Sequence, residues 1–155
     1  MFETLISKLQ EDKYLTLETT PQHEPSMHNI VEKIKKFKID SKVDGFTCTD
    51  NPLAKLKYNS LFAALKLQQE FKKPVIATMT MRDRNKIALQ SDLLGANDFD
   101  IRAILALTGD PANMSDQPNS KGVFEANSLM LLKMIKSFNY GMDFAGRPFK
   151  IEPKQ

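Results

Sequence analysis

The stretch Ile104-Leu105-Ala106-Leu107-Thr108-Gly109-Asp110-Pro111 decides the fold. Four apolar residues run into Thr, Gly, Asp and Pro. An apolar run of this length that ends in turn chemistry predicts a strand buried on both faces. Gly109 lets the backbone turn or approach a ligand closely, because it carries no Cβ. Pro111 cannot continue a strand ladder. Asp110 is therefore expected just past the strand's carboxyl end, which is where ligands bind in α/β sheets and barrels. Taken alone, the stretch reads more simply as an ordinary turn; its partners elsewhere in the chain change that.

Outward from this strand the same unit recurs. On the amino-terminal side, Pro74 opens a predicted strand from Val75 to Met81, with Arg82-Asp83-Arg84-Asn85 as its exit loop. Residues 86 to 98 follow as a helix rich in Leu and Ala. Further back, residues 42 to 48 predict a short strand with Thr49-Asp50-Asn51-Pro52 as its exit, and residues 54 to 72 a helix. Tyr14 to Leu17 predict the first strand, with Glu18 at its carboxyl end and Pro21 as the stop. Ser26 is placed to cap a helix over residues 27 to 39. Residues 2 to 12 carry Phe2, Leu5, Ile6 and Leu9 at helical spacing, a helix suited to plugging the amino-terminal end of a sheet. Beyond Pro111 a long loop leads to a helix over about 124 to 138, and residues 141 to 155 show no clear element. Strands alternating with helices predict a parallel sheet with right-handed crossovers. Polar residues end every strand: Glu18, Thr49 and Asp50, Arg82 and Asp83, and Asp110. They are expected to converge on one site.

The bulk composition bounds the function. The chain has 155 residues, 41% hydrophobic and 26% charged, as expected of one soluble globular domain over residues 1–155. It has no apolar run long enough for a membrane helix and no secretory leader pattern. Its single cysteine, Cys48, excludes an internal disulfide framework, and eight methionines suit a reducing, cytoplasmic setting. A net charge of +3 is too small to argue for nucleic acid. Lys33, Lys35, Lys36 and Lys38 read as a solvated helix face. Gly-x-Gly-x-x-Gly, Walker and Gly-x-Ser-x-Gly patterns are missing, and His23 and His28 lack companions at metal-ligand spacing. Carboxylates remain the best chemistry, because a Glu beside apolar walls can act as a general acid near neutral pH.

With Glu18, the run Thr78-Met79-Thr80-Met81-Arg82-Asp83-Arg84-Asn85, the block Ser91-Asp92-Leu93-Leu94-Gly95-Ala96 and Leu107-Thr108-Gly109-Asp110-Pro111 quoted in order, the chain resembles the methylenetetrahydrofolate reductase family. It is most similar to the branch fused to a homocysteine methyltransferase. The likeness continues through Asn127-Ser128-Leu129 and Ala145-Gly146-Arg147-Pro148. The resemblance implies a (β/α)8 TIM barrel, of which about the first four βα units are expected here. It implies a flavin, FAD with FMN as the alternative, that carries hydride from NAD(P)H to methylenetetrahydrofolate. It implies Glu18 as the acid that helps open the folate's five-membered ring, and Asp110 beside the flavin pyrimidine and the folate. Thr108 and Gly109 would line the same loop. Thr49 falls near the family's strand-2 threonine, with Thr47 the alternative register. Thr78 stands where many members have a flavin-contacting His. Family chains usually continue for about as long again, consistent with the roughly 250 residues of a full barrel. The chain is therefore expected to be a subunit of a split enzyme, a fragment, or a half-barrel completed by a second chain or second copy. The other readings are a non-catalytic relative that binds pterin or a partner, and a barrel enzyme using Glu18 and Asp110 on another substrate.

Overall fold

The computed structural model describes residues 2–11 and 13–154. Four strands, β1 (Thr16–Thr19), β2 (Gly45–Cys48), β3 (Val75–Thr80) and β4 (Ala103–Leu107), form one parallel sheet in the order β1-β2-β3-β4. Helices α2 (His28–Lys36), α3 (Ser60–Phe71) and α4 (Lys86–Asp98) connect them, and α5 (Ser128–Asn139) follows β4. Sequential strand order with a helix after every strand is the pattern of a TIM-type barrel wall. Helix α1 (Phe2–Gln10) precedes the sheet and lies at its amino-terminal end, with Leu5 buried and the Phe2 ring facing the Arg102 guanidinium.

The two sheet faces follow from register. Leu17 pairs with Phe46 and Phe46 with Val75, while Cys48 pairs with Ala77 and Ala77 with Ile104. These residues face the helices. They share one core with Val31 and Ile34 of α2, Ala63, Ala64 and Leu67 of α3, Leu89 and Leu93 of α4, and Leu131 and Met134 of α5. Burial in this core pushes the Cys48 thiol up to about 11, which keeps it protonated and inert. The opposite face carries Glu18, Thr47, Ile76 and Ala103 in one paired row, with Thr78 and Leu105 two residues on.

Several expectations need correction. β4 is not buried on both faces: it is an edge strand of the sheet, and Leu105 and Leu107 on its inner side are 45% and 41% exposed. β1 begins later than expected, so Glu18 lies within the strand and not beyond it. The Leu15 N–H donates to the Asp44 carboxylate in place of a ladder partner. α3 begins six residues later than expected, at Ser60, where the Asn59 side chain accepts from Leu61 and Phe62 N–H groups. The preceding residues Pro52–Ala54 form a 3-10 turn instead. α5 starts at Ser128 because Asn127 caps it. In the tail, Met142 and Pro148 form an antiparallel bridge closed around the Asp143 carboxylate, which accepts from Ala145 and Arg147 N–H groups.

Gly45 is required by packing. A Cβ there would overlap the Tyr14 hydroxyl and the Pro74 carbonyl oxygen. Gly45→Ala is expected to cost about 1–3 kcal/mol through overpacking, read as a lower urea midpoint at unchanged slope.

Candidate functional site

The carboxyl ends of the four strands form the mouth of the sheet. At β1, Glu18 is exposed on the inner face, directly beside Thr47. At β2 the ladder runs one residue past the strand, since the Thr49 N–H donates to the Thr19 carbonyl at 3.1 Å. The Thr49 hydroxyl is buried and meets no partner among the described residues. The Thr47 hydroxyl, by contrast, donates to that of Thr16. Thr49 is thus the strand-2 threonine with free hydrogen-bonding capacity at the mouth.

Asp50, 4% exposed, does not face an open site as the sequence suggested. Its Oδ2 accepts from the Thr80 N–H (2.9 Å) and hydroxyl (3.0 Å), and from Arg84 Nη1 (2.6 Å), while Oδ1 accepts from Arg84 Nη2 at 3.2 Å. Arg84 Nε donates to Asp92 on α4 at 2.8 Å. Burial alone would lower the Arg84 pKa. The hydrogen bond to Asp50 and the charges of Asp50 and Asp92 outweigh it, and the guanidinium is held above its ordinary value.

Arg82 is also buried, at 1% exposed. Its Nε and Nη2 grip both oxygens of Asp83 at 2.7 Å, and Nη2 also donates to the Asn51 carbonyl at 2.9 Å. Its Nη1 has no partner among the described residues. Burial would raise the Asp83 carboxyl; the Arg82 hydrogen bond and charge prevail and hold it below its ordinary value.

Beyond β4, Gly109 adopts φ +99°, a conformation that strains any other residue. A Cβ on it would stand 3.0 Å from Arg82 Cβ and 3.2 Å from Thr80 Cβ. The glycine thus lets the β4 exit lie against the β3 exit. Asp110 Oδ2 accepts from the Leu53 N–H at 2.6 Å. That bond holds the β2–α3 loop, in which Asn51, Leu53 and Ala54 all have positive φ. The Thr108 hydroxyl accepts from the Ser128 N–H, so it serves the first turn of α5.

The structure therefore brings Gly109 and Asp110 beside Arg82, with Thr49 at the exit of β2 and Glu18 on the edge strand β1. Thr78 lies deeper, buried in mid-strand, and its carbonyl accepts from the Ser60 hydroxyl. Beside β1, an open cleft of about 450 Å³ is lined by Thr20, Gln22, His23, Glu24, Asn29 and Lys57. The bracing role of Asp50, Arg84 and Asp92 was not foreseen. These residues stood in the quoted motifs, but their pairing spans 34 residues and no local spacing signals it.

The profile of the family described as methylenetetrahydrofolate reductase matches residues 3–148. The chain belongs to that family. Comparison with curated proteins gives no match. The methylenetetrahydrofolate reductase fold is a TIM barrel, and the four βα units here form part of such a wall. Family members are folate-related oxidoreductases, generally flavin-dependent, with a nicotinamide reductant. The residues at the mouth fit a flavin: an unpartnered buried hydroxyl on Thr49 and a glycine turn at Gly109 stand at the same end as Asp110. No helix among the described residues is long and apolar enough to cross a membrane.

Asp50→Ala is expected to cost about 3–5 kcal/mol in urea unfolding, because it leaves both terminal nitrogens of the largely buried Arg84 guanidinium without their carboxylate, Asp92 holding only Nε. Asp83 gives a pH dependence. Its folded pKa is depressed below the ordinary 3.8, so its contribution is complete above 3.8 and is lost as pH falls through the lower folded value. In Asp83→Asn that part of the acid-limb slope should vanish from stability measured against pH.

Proposed function

We propose that this chain provides the amino-terminal βα units of a flavin-dependent reductase that converts 5,10-methylenetetrahydrofolate to 5-methyltetrahydrofolate with NAD(P)H. The observation that carries the reading is the arrangement at the mouth. Glu18 is free and exposed on the inner face of β1, and the Thr108-Gly109-Asp110 turn leaves β4 at the same end of the sheet. FAD is the expected cofactor, with FMN the alternative; when bound, it supplies the two-electron carrier between the nicotinamide and the one-carbon bridge.

The residues of this chain have distinct tasks. Glu18 delivers a proton to the amine nitrogen that departs when the folate ring opens, a step that needs a positioned acid. Asp110 sets a negative charge beside the cofactor ring, which disfavours an anionic reduced form. Thr49 and Gly109 hold the ring's polar edge, and Thr78 and Thr108 support the wall behind it. Glu18 is exposed on the inner face, and a second chain or second copy closing the barrel would cover it. A chain with one buried thiol suits a reducing, cytoplasmic compartment. The openness of that face also favours a second reading, a non-catalytic relative that binds pterin or a partner.

Absorbance separates these readings. The reductase takes up added FAD with a shifted flavin spectrum that NAD(P)H bleaches; a chain that stays colourless refutes a reductase working alone. In the flavin-loaded protein, Glu18→Gln is expected to leave bleaching by NAD(P)H intact and to slow reoxidation by methylenetetrahydrofolate about 10²–10⁴-fold. Equal rates in both half-reactions would remove Glu18 from the acid role.

A further inference from the structure

The helix layer carries a groove of its own, apart from the mouth. It lies between α3 and α4 and has a volume of about 200 Å³. Leu65, Phe62 and Phe99 supply apolar walls, and Ser91 and Asp92 a polar end. Phe62 and Phe99 are 59% and 53% exposed, although both border the same opening. Adjacent helices ordinarily close such a space with interdigitated side chains. Here Gly95 keeps it open. A glycine within a helix weakens it relative to alanine. At Gly45 the fold itself forbids a side chain, but nothing stands within 4 Å of where a Gly95 Cβ would be. No close approach inside the molecule accounts for this glycine.

The walls define what fits. An apolar cavity of about 150 Å³ admits a benzene ring, so this groove has room for one ring system and little more. Phe62 and Phe99 offer an aromatic occupant their faces and edges. Asp92 is the one charged group among the lining residues. Arg84 Nε donates to its Oδ2 at 2.8 Å, which orients the carboxylate and leaves Oδ1 for a donor from outside. That oxygen repels a carboxylate or phosphate and favours an N–H or O–H. A protein partner fits less well, because a stable interface needs about 800 Å² on each side with few charges at its centre. The Lys66–Glu70 pair begins one turn after Phe62 on α3, and Asp98 adjoins Phe99 at the end of α4.

We propose that the α3–α4 groove binds a small planar aromatic molecule of the indole or phenol type, its ring over Gly95 between Phe62 and Phe99 and its N–H or O–H on Asp92 Oδ1. The site is separate from the mouth. The Arg84 that orients Asp92 also holds Asp50, so the groove borders the bracing of the β2 exit without belonging to it.

The test titrates the full chain with indole and with 1-methylindole, which lacks the N–H, and reads binding by calorimetry. Indole is expected to bind with a Kd of about 0.1–1 mM, the range open to a ligand of this size. 1-Methylindole should bind about tenfold more weakly, the loss of one hydrogen bond to a charged acceptor. Asp92→Ala should bring indole down to the level of 1-methylindole and leave 1-methylindole unchanged; a merely structural Asp92 would weaken both alike. Without ligand, Gly95→Ala should raise the urea midpoint, since it improves the helix and meets no neighbour; a lowered midpoint would show that packing requires the glycine. Gly95→Leu should abolish indole binding while the protein keeps its native circular dichroism. The proposal is overturned if the parent does not bind indole, or if Gly95→Leu binds it as the parent does. It is also overturned if sedimentation shows a dimeric parent and a monomeric Gly95→Leu, because a second copy then fills the groove. The reductase reading does not depend on any of these outcomes.

Discussion

The mouth of this protein depends on one buried carboxylate. Asp50 is almost wholly removed from water, and a charge in that position persists only with donors around it. It has the Thr80 N–H, the Thr80 hydroxyl and both terminal nitrogens of Arg84. The bonds run from the exit of β2 to the last residue of β3, and Arg84 carries the link to Asp92 on α4. Such a pair adds little net stability compared with a well-packed apolar pair. Its effect is geometric. It fixes the direction in which the chain leaves β2, and therefore where Asn51 and Leu53 meet Arg82 and Asp110.

What leaves β2 is an unfavourable piece of backbone. Asn51, Leu53 and Ala54 all sit at positive φ, and Leu53 is bulky enough for this to be a true outlier. Each such residue costs about 1–3 kcal/mol. The loop is held because its polar groups are taken up from outside. Arg82 binds the Asn51 carbonyl, Asn51 Oδ1 accepts from the Lys57 N–H, Asp110 binds the Leu53 N–H and Asp116 binds the Leu56 N–H. Asp110 thus restrains the strained loop from the exit of β4, through one carboxylate oxygen.

The fold was legible where local chemistry was unambiguous. Pro74 followed by Val, Ile, Ala and Thr marked β3 to within one residue, and Asn85 capped α4 where the helical period began. The order of elements followed from alternation alone. β1 was misplaced because Tyr14 and Leu15 have strand-forming side chains, while the Leu15 N–H is captured by Asp44, 29 residues away. β4 was read as doubly buried because an apolar run looks the same whether one or both faces are covered; coverage is a property of the neighbours. The residues at the mouth divided similarly. Asp110 was visible as a carboxylate just past the end of β4. The burial of Asp50 and Arg82 was not, since their partners lie about 30 residues distant and the sequence records no distance in space.

The sheet itself joins assembly to chemistry. One face is sealed by α2, α3, α4 and α5 in a continuous core. The other carries Glu18 on β1, and Leu105 and Leu107 on β4, open to water. Parallel sheets are stable with both faces covered, and an edge strand with free backbone groups invites pairing. Leu105 and Leu107 on β4 and Glu18 on β1 are exposed on the same side of the sheet at its two edges. The uncovered apolar area and the free carboxylate therefore flank the buried polar side chains of Thr47 and Thr78 on the two central strands, so anything that packs on this side meets an apolar edge and an acidic one.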